Sequence, residues 1–592
     1  MQDGQKEYLV TSEEMRTYDR NTIEYFGVPS MVLMERAALA VAEEIEAWQE
    51  EIGPKKRTRQ SAGKYKRAYG KGKKTGKKAL IAAGCGNNGG DGIAVGRLLL
   101  LSGYQVDLWL VGEREKCSRE TARQIEIMEK YGCPLQNKIG DEEYDIIVDA
   151  LFGVGLSRDL EGIYAQAVEE VNRRDAFVCA VDIPSGIHAD TGAVMGTAVK
   201  ADVTVTFAFR KLGHILYPGC GYAGYVVCRQ IGITEESFLG KAPKTYARRG
   251  PVSRMLPKRD AGGNKGSFGK VLVIAGSKGM SGACELCAKS VYRTGAGMVK
   301  AVTPEENRLI IQQKVPEALL MTYQAYHGAG TTAGAQEQGS GETCNSMEPD
   351  ESDRALRHGG SAVRQEKSKE GADMDGWFAQ EMESRMHEAA KWADVIVAGP
   401  GIGQGEEARA LVEWALTRTE KPLVLDADGI NLLAREKGLR QYMENHAKDA
   451  RVIVMTPHVG EFARLCGKGV AEVKRNLPEL AKELADRYGC VMVAKDARTV
   501  VASNRREGWC LNATGNDGMA TAGMGDVLAG VVGGLLAQGM TAQEAAETGV
   551  YLHGLAGDMA AGKMGRYGLM ARDVAHFLPF CMKQEDWEET QP

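Results

Sequence analysis

The sequence predicts an α/β protein made of two doubly wound halves, each built on a mainly parallel sheet. The first supporting observation is a series of short apolar runs rich in Val, Ile and Ala, which is typical of buried strands. The second is helical periodicity in the segments that separate several of these runs. The third is that glycine and polar residues follow many of the runs. Alternating strands and helices of this kind place ligand sites at the carboxyl ends of the strands.

The first half begins with helices and continues with five strands. A capping-box pattern, Thr11 to Glu14, predicts the start of one helix, and the segment MVLMERAALAVAEEIEAW predicts a longer one. The predicted strands are KALIAAG, YQVDLWLVG, YDIIVDALFG, AFVCAVDIP and DVTVTFAF.

The second half follows the same logic with different motifs. Its predicted strands are GKVLVIAGS, GMVKAVTP, ADVIVAGPG, KPLVLDADG, RVIVMTP and CVMVAKDARTVVAS. Three helices near 525–539, 542–561 and 571–582 close the chain. The halves meet near 235–265, which predicts one domain over 1–240 and another over 245–592.

Composition limits the class of protein. The chain has 592 residues, too many for one ordinary domain, and its 43% hydrophobic and 26% charged content is that of a globular protein. A net charge of -5 argues against general nucleic-acid binding. The longest apolar stretch, around 527–540, is too short and too rich in glycine to span a bilayer. The start of the chain has no signal-peptide pattern.

Cysteine usage indicates a reducing compartment. The thirteen cysteines are scattered and odd in number, so we expect a cytoplasmic protein. Cys284 and Cys287 form a CxxC, but no second pair follows at zinc-finger spacing, and we interpret both as buried helix residues.

Two segments resemble insertions. Residues 53–78 carry twelve Lys and Arg and no acidic residue, which favours a solvated loop over a nucleic-acid or membrane patch. Residues 327–375, rich in Gly, Ser, Glu and Asp, are expected to be disordered. We expect neither segment to carry the chemistry.

Polar side chains and glycines follow three strands of the first half. Gly84 to Gly92 reads GCGNNGGDG and opens a helix, whose N-terminus favours a phosphate. Asp149 leads into a second glycine-rich loop that ends with an Arg suited to phosphate. Asp182 precedes Ser185. Their amide, carboxylate and hydroxyl oxygens suit a hard cation, and a weakly dehydrating site suits K⁺.

These motifs resemble the NAD(P)H-hydrate epimerase family, which implies a Rossmann-like fold over roughly 8–235. GCGNNGGDG, VDALFGVGLSR and VDIPSGIHADTG carry the resemblance, with LMERAA. It implies a K⁺ ion held by Asn88, Asp149 and Ser185. The implied reaction inverts C6 of the hydrated nicotinamide ring. Asp182 and Asp149 are the two carboxylates available for the proton transfer, and Asp182 is our catalytic candidate. The residues implied to bind the hydrate are Asn87, Asn88, Gly89, Gly90, Asp91, Gly153, Val154, Gly155, Leu156, Ser157, Arg158, Asp159 and Asp182.

The second half ends in a glycine-dense turn, NATGNDGMATAGMGD, that runs into a small-residue helix. Backbone N–H groups of such a turn form an anion site at a helix N-terminus. Asp526 lies beside it and is placed to act as a base for phosphoryl transfer. Other strand ends supply Asp426, Asp428 and Asn431.

This order of motifs resembles the ribokinase-like superfamily, and specifically the ADP-dependent NAD(P)H-hydrate dehydratases. GSKGMSGA, GPGIG, TPHVGE and GNDGMATAGMGD carry the resemblance over roughly 245–582. It implies that Asp526 deprotonates the C6 hydroxyl of the S hydrate for attack on ADP, with Mg²⁺ bridging phosphates. The residues implied to contact the hydrate are Ala283, Gly403, His458 and Asp526. Those implied to bind the nucleotide are Lys495, Asp496, Ala497, Arg498, Thr499 and Gly525. Asp496 stands where the family usually has glycine, so the nucleotide site departs from the pattern there.

The two resemblances together predict a bifunctional repair enzyme for hydrated nicotinamide nucleotides, since the epimerase would supply the epimer that the dehydratase accepts. We expect NADHX or NADPHX and ADP as small-molecule partners, and the resemblance favours a homo-oligomer, with a tetramer as the expected form. One alternative is a hydroxymethylpyrimidine or thiazole kinase, which shares the GxGD base. Another makes the first half a non-catalytic binding module, against which Asn88, Asp149 and Asp182 argue.

Overall fold

A computed structural model describes residues 6–52, 76–324 and 380–583. Both predicted insertions lie outside these residues, apart from 76–78 at the end of the basic one. In the described ranges, no helix is at once long and apolar enough to cross a membrane.

The first half contains nine strands and five helices among the described residues. Its strands are β1 (Lys6–Val10), β2 (Lys78–Ala83), β3 (Gln105–Leu110), β4 (Leu135–Gln136), β5 (Ile146–Ala150), β6 (Phe177–Val181), β7 (Val203–Phe207), β8 (Arg210–Lys211) and β9 (Tyr225–Arg229). Its helices are α1 (Ser12–Glu24), α2 (Ser30–Ile52), α3 (Asn87–Leu101), α4 (Arg119–Lys130) and α5 (Gly162–Arg173). The predicted capping box is confirmed, because Glu14 N–H donates to Thr11 Oγ1 at 3.2 Å and Thr11 N–H to Glu14 Oε2 at 2.8 Å.

Seven of these strands form a parallel sheet in the order β4-β3-β2-β5-β6-β7-β9. The chain moves outward from β2 to β4 and then returns to the other side of β2 with β5. The strand order therefore reverses between β2 and β5, and a ligand site is expected at their carboxyl ends. All five predicted strands of this half are confirmed.

The second half supplies the rest of a larger sheet. Its strands are β10 (Thr245–Arg248), β11 (Lys270–Ile274), β12 (Met298–Pro304), β13 (Leu319–Tyr323), β14 (Val395–Ala398), β15 (Leu423–Leu425), β16 (Ile453–Met455), β17 (Val491–Ala494), β18 (Val500–Ser503) and β19 (Trp509–Leu511). Its helices are α6 (Ser281–Arg293), α7 (Arg308–Lys314), α8 (Gln380–Trp392), α9 (Glu406–Thr417), α10 (Asp428–Arg435), α11 (Lys437–Asn445), α12 (Val459–Cys466), α13 (Val470–Arg475), α14 (Leu477–Tyr488), α15 (Met524–Ala537), α16 (Ala542–Met564) and α17 (Ala571–Cys581).

The larger sheet has twelve strands in the order β13-β12-β11-β14-β15-β16-β17-β18-β19-β10-β1-β8. Strands β13 to β17 are parallel, whereas β17 and β18 form an antiparallel pair. The prediction of one strand over CVMVAKDARTVVAS is therefore wrong, since residues 495–499 turn the chain back on itself. The other five predicted strands and the three closing helices are confirmed.

Close packing of helix on sheet depends on glycine at two positions. A Cβ on Gly92 of α3 would lie 2.2 Å from the Ala150 Cβ, and one on Gly533 of α15 would lie 2.4 Å from Val397 Cγ2. Both distances are far below a normal contact, so these helices could not sit as close to the sheets with any other residue.

The two halves share the larger sheet. Strand β1 pairs with β10 antiparallel and with β8 parallel, although β1 and β8 lie before the predicted boundary at 240–245. A buried ion pair supports this junction, with Arg248 of β10 bonded to Glu547 of α16 at 2.8 Å. The sequence did not predict β1, β8 or β10, which are short and lack a long apolar run.

Candidate active sites

A cavity of about 560 Å³ opens at the carboxyl ends of β2 and β5, where the strand order reverses. Its wall combines the α3 N-terminus, the loop after β5 and the end of β6, and helices α1 and α2 cover it. Eight of the predicted hydrate-binding residues line it: Asn87, Asn88, Asp91, Gly153, Val154, Gly155, Leu156 and Asp182.

The other predicted residues of this site lie elsewhere. Gly89 and Gly90 are buried in the packing of α3, and a Cβ on Gly90 would lie 2.8 Å from the Met34 methyl carbon. Ser157, Arg158 and Asp159 are exposed and do not line the cavity. Some glycines of this motif are therefore needed for helix packing and not for ligand binding, and the sequence alone does not distinguish the two roles.

Asp182 lies at the end of β6 with its backbone in the left-handed region, at φ 69°. Its Oδ1 accepts hydrogen bonds from Lys211 Nζ at 2.5 Å and from Thr206 Oγ1 at 3.0 Å. Burial would raise the pKa of this carboxyl, but the Lys211 ammonium and these hydrogen bonds outweigh burial and hold the pKa below its usual value. Asp182 is therefore an ionised carboxylate in the cavity wall.

His214 fixes the backbone of the same residue. Lys211 N–H donates to His214 Nδ1 at 3.1 Å, so the ring proton is on Nε2, which donates to the Asp182 carbonyl at 2.9 Å. Burial, together with the charge of Lys211, lowers the pKa of His214 to about 3. The imidazole is thus neutral and structural.

Two further carboxyl groups, Asp19 of α1 and Asp91 of α3, line the cavity. Burial raises the pKa of each, and the negative charge of Asp182 adds to the rise. The cavity therefore contains one carboxyl group whose pKa is lowered by its ion pair and two whose pKa is raised by burial.

Asp149 lies outside the cavity lining, completely buried beneath the loop after β5. Its oxygens accept from Ser185 N–H at 2.8 Å and from Ser185 Oγ at 2.6 Å. Burial raises its pKa to about 6, and only hydrogen bonds from Ser185 and Leu151 oppose that rise. Of the two carboxylates left open by the sequence, only Asp182 faces the cavity.

Asn88 reaches the same region. Its Oδ1 is 3.1 Å from the position a Cβ on Gly153 would take, and its buried Nδ2 has no hydrogen-bond partner in the described residues. Ser185 Oγ accepts from the N–H of Phe152, the neighbour of Gly153, at 2.9 Å. The Asp149–Ser185 pair and Asn88 thus both adjoin the loop after β5, at residues 151–153.

Lys211, Thr206, His214 and Asp19 were missed by sequence reasoning. Three of them follow or end DVTVTFAF, the predicted strand β7, and a search of its carboxyl end for charged residues could have found Lys211. Nothing local marks Asp19, which is one polar residue of an amphipathic helix and reaches the cavity only through the packing of α1.

A second site lies at the carboxyl ends of β14 to β17, where α15 begins. Gly523 precedes α15 at φ 89°, and no side chain caps the helix. A Cβ on Gly525 would lie 3.1 Å from Lys495 Nζ and 3.6 Å from Asp426 Oδ2. The N-terminus of α15 is therefore open as an anion site beside a charged cluster.

That cluster consists of Asp526, Asp426 and Lys495. Lys495 Nζ donates to Asp426 Oδ1 at 2.8 Å, and Thr456 Oγ1 donates to the same oxygen at 2.6 Å. Burial raises the pKa of Asp526 to about 7, the charge of Asp426 adds to the rise, and Lys495 opposes it. Asp526 is thus a carboxyl whose affinity for protons matches neutral pH, as a general base requires.

His458 and Glu461 form a capping box at the start of α12, in which Gly460 N–H donates to His458 Nδ1 at 3.0 Å and His458 N–H to Glu461 Oε2 at 2.9 Å. Glu461 is buried, which raises its pKa to about 7 against the opposing charge of Lys495. The His458 side chain is 55% exposed. It can reach a ligand from the rim of the site.

The loop over residues 399–405 lies against the start of α6. Gly403 N–H donates to Asp428 Oδ2 at 2.9 Å, and a Cβ on Gly401 would lie 2.6 Å from the Ala283 Cβ. The fold therefore places Ala283 beside the loop that contains Gly403. Cys284 and Cys287 are fully buried in α6, which confirms their interpretation as helix core residues.

The predicted nucleotide loop, 495–499, joins β17 to β18. Lys495 faces the carboxylate cluster, whereas Asp496 is part-exposed with Lys474 Nζ at 3.6 Å. Arg498 Nε donates to the Ile215 carbonyl at 2.9 Å, and its guanidinium lies 5.0 Å from the centre of the Tyr217 ring. Thr499 is buried. The loop thus contacts the first half of the chain as well as the second site.

Two protein-family profiles match the chain. One, described as YjeF-related protein N-terminus, matches residues 30–213, and the other, described as NAD(P)H-hydrate dehydratase, matches residues 271–345 and 360–579.

Relatives match over nearly the full length. The bifunctional NAD(P)H-hydrate repair enzymes Nnr of Moorella thermoacetica and Thermofilum pendens are each 33% identical to the chain; the first match covers 98% of both chains, and the second covers 97% of this chain and 96% of the relative. Among solved structures, the ADP/ATP-dependent NAD(P)H-hydrate dehydratase from Bacillus subtilis, co-crystallised with ATP/Mg²⁺, is 27% identical with a TM-score of 0.41; the match covers 56% of this chain and 94% of that one.

Proposed function

The chain belongs to the family of bifunctional NAD(P)H-hydrate repair enzymes, and from that premise we propose which residues of each half carry the chemistry. The two activities are an epimerase in the first half and an ADP/ATP-dependent dehydratase in the second. The observation that carries the assignment of residues is that each half places a carboxyl group near a lysine at its ligand site: Asp182 near Lys211, and Asp526 near Lys495.

In the epimerase half, Asp182 is the group that exchanges a proton with the hydrate. It lines the cavity and is ionised, whereas Asp149 is buried beneath the loop after β5. The hydrate's phosphates would lie against Asn87 and the loop that begins at Gly153, near the N-terminus of α3. The reaction interconverts the R and S epimers at C6 of the hydrated ring.

A K⁺ ion suits the pocket formed by Asn88, Asp149 and Ser185. Burial raises the pKa of the Asp149 carboxyl group, and only hydrogen bonds oppose that rise. A cation would therefore supply the missing counter-charge. When bound, the ion would neutralise Asp149 and hold the loop after β5. The oxygens available to it are hard donors of the kind that alkali and alkaline-earth cations prefer.

In the dehydratase half, Asp526 removes the proton from the C6 hydroxyl of the S hydrate, and the hydroxyl oxygen attacks the terminal phosphate of ADP. AMP departs, and the phosphate ester then loses phosphate from C6 and a proton from the adjacent ring carbon, C5, which restores the double bond of NADH or NADPH. The N–H groups of residues 523–525 would hold the charge that develops on the transferred group. Lys495 donates a hydrogen bond to the neighbouring Asp426 and adds positive charge to the site.

Mg²⁺ fits this half as the companion of the nucleotide. Asp426 Oδ2 is buried and has no hydrogen-bond partner in the described residues, and it faces Gly525. When bound, the metal would neutralise phosphate charge. We propose a cytoplasmic homo-oligomer as the working form, in line with the family resemblance.

The test is to incubate the full chain with mixed R and S hydrate, ADP, Mg²⁺ and K⁺, and to follow absorbance at the reduced-nicotinamide band. We expect all of the hydrate to be converted, with one AMP and one phosphate released for each NADH formed. A phosphorylated product that persists would indicate a small-molecule kinase instead. Residual R hydrate would show that the first half does not epimerise.

A further inference from the structure

We propose that Lys211 is a positioning residue of the epimerase site, which keeps Asp182 ionised and leaves its Oδ2 as the atom that accepts the substrate's proton. This inference rests on the proposed function of the first half and deepens it. The supporting observations are the hydrogen bonds around Asp182 and Lys211. They leave one oxygen of Asp182 free for the substrate and no donor of Lys211 free.

Every polar atom of Asp182 but one is engaged. Its N–H donates to the Val205 carbonyl at 2.8 Å, its carbonyl accepts from His214, and its Oδ1 accepts from Lys211 and Thr206. Within the described ranges, Oδ2 accepts no hydrogen bond, and Asp182 lines the cavity. The left-handed backbone, costly for a residue other than glycine, is held by these contacts.

Lys211 has no hydrogen left for a substrate. An ammonium group has three donors, and here they have three protein acceptors: Asp182 Oδ1 at 2.5 Å, Thr206 Oγ1 at 2.9 Å and the Phe207 carbonyl at 3.3 Å. The side chain is 1% exposed. Lys211 lies in the cavity wall, but its three donors are taken by protein acceptors, so it acts on the reaction through Asp182.

The surrounding charges make this ion pair necessary. Asp19 of α1 and Asp91 of α3 face the same cavity as Asp182, and His214 behind it is neutral. Lys211 is the cation bonded to Asp182, and its charge and hydrogen bonds oppose the effect of burial on that carboxyl group. Arg16 also lines the cavity, but its guanidinium donates to the Val154 carbonyl at 3.3 Å. Without it, the proton would settle on Asp182, and no ionised base would remain in the cavity wall.

The proton is conserved in this scheme. C6 of the hydrate carries both the hydroxyl group and the ring nitrogen N1. Oδ2 takes the hydroxyl proton while the C6–N1 bond breaks, which leaves a C6 carbonyl and the bonding electron pair on N1. N1 then adds to the opposite face of that carbonyl, so the C6–N1 bond re-forms with inverted configuration, and Oδ2 returns the proton to the C6 oxygen, which regenerates the carboxylate. No other group of the chain needs to change its protonation state.

The experiment compares full-length Lys211→Met with the wild type, because methionine has a similar length and no charge. Epimerisation is measured as NADH formed from R hydrate in the presence of ADP. An excess of full-length Asp182→Asn is added to supply dehydratase activity without epimerase activity, and the rate of spontaneous epimerisation is subtracted. We expect the acidic limb of the pH profile to move upward by at least about one pH unit, the effect of removing an opposite charge. The ratio of the Lys211→Met rate to the wild-type rate should then fall steadily as the pH drops from about 8 to about 5 and below, and it approaches a tenfold loss only below the pKa of Asp182 in both proteins.

Matched variants separate positioning from structure. Lys200→Met removes an exposed lysine of the same half and should leave the profile unchanged. Lys211→Arg keeps the positive charge, so its acidic limb should stay at the pH of the wild-type limb, even if the rate itself is lower. If circular dichroism shows that Lys211→Met does not fold, Thr206→Val takes its place. That variant removes the second hydrogen-bond donor to Asp182 Oδ1, so the acidic limb should move to higher pH by a smaller amount.

Two results would overturn the inference. One is a Lys211→Met profile that is lowered equally at every pH, which a merely structural role would produce. The other is an unchanged rate across the range. If the wild type itself fails to convert R hydrate, the proposed function fails, and that outcome is visible before any variant is made.

Discussion

Asp526 is the residue that best illustrates how position sets chemistry. An aspartate at a helix start is ordinarily a cap, yet Asp526 follows a helix N-terminus that no side chain caps. The packing of α15 against the sheet buries it beside Asp426 and Lys495. The role as a base that we propose for it rests on that environment.

Asp526→Asn should reduce dehydration of S hydrate by at least about a hundredfold, because the amide keeps the size and polarity but cannot accept the proton. Binding of ADP should survive, since the backbone N–H groups of the turn are unchanged. The measurements are the initial rate of NADH formation and ADP affinity by calorimetry.

Asp486→Asn is the matched control for this variant. Asp486 is exposed on α14, where it pairs with Lys482 four residues earlier, and such a surface pair contributes little to stability. Near-normal turnover in Asp526→Asn would mean that the glycine turn is structural.

The pH dependence of dehydration follows from the same carboxyl. The base must be ionised, and its pKa lies at about 7, above the usual value of 3.8. We therefore expect kcat/KM for S hydrate to fall as the pH drops through about 7. Lys495→Met should move this limb to higher pH, because Lys495 opposes the rise. A flat profile between about pH 5 and pH 8 would contradict the assignment.

At the scale of elements, the strand ends of the first half decide the K⁺ site. Asn88 begins α3 after β2, Asp149 belongs to β5, and Ser185 follows β6. These strands are adjacent only because the strand order reverses between β2 and β5. The hydrogen bonds between Asp149 and Ser185 already join two of the three proposed ligands.

Asp149→Ala should impair epimerisation and leave dehydration of pure S hydrate unchanged, because the variant removes the counter-charge for the ion in one half only. The measurement is R-hydrate consumption against K⁺ concentration, with Na⁺ at equal ionic strength as the control. A K⁺ response that is the same in the variant and the wild type would exclude Asp149 as a ligand.

The turn 495–499 shows where sequence reasoning about elements failed. An apolar run on both sides of KDART predicted one strand, whereas β17 and β18 are two antiparallel strands. Lys495 therefore turns toward the carboxylates, and Arg498 turns toward Ile215. The pattern of apolar residues does not distinguish a long strand from a hairpin whose turn is short and charged.

At the scale of the whole molecule, the two halves are joined by more than a linker. Strand β1 lies between β8 and β10 in the larger sheet, and Arg498 contacts the segment that follows Lys211. The family profiles match each half separately, at 30–213 and from 271 onward. We still propose 1–240 and 245–592 as functional domains, with a junction that stabilises both.

The fragment 245–592 should convert S hydrate and stop when it is exhausted, because the residues that line the epimerase cavity are absent. It should also unfold at a lower temperature than the intact chain, since β10 loses its partner β1. The measurements are the end point of NADH formation from mixed epimers and the thermal midpoint by circular dichroism.

Addition of 1–240 in trans should restore consumption of the R epimer. Complete consumption of R hydrate by 245–592 alone, faster than spontaneous epimerisation, would contradict the division of labour between the halves.

The sequence by itself determined the α/β class, eleven of the strand-forming runs, the capping box at Thr11 and the glycine turns of both sites. These features depend on residues that are close in the chain, through hydrophobic periodicity and turn chemistry, so they can be recognised without a fold. The resemblance of the motifs added the two activities and most of the candidate site residues.

Only the tertiary structure decided which carboxylate faces the epimerase cavity, which glycines serve packing, and how the halves join. Burial and charge pairing are set by residues far apart in sequence: Asp182 meets Lys211 across 29 positions, and Arg498 meets Ile215 across 283. A carboxyl group's affinity for protons depends on those partners and on the water that the fold excludes. Neither can be read from the neighbours of a residue along the chain.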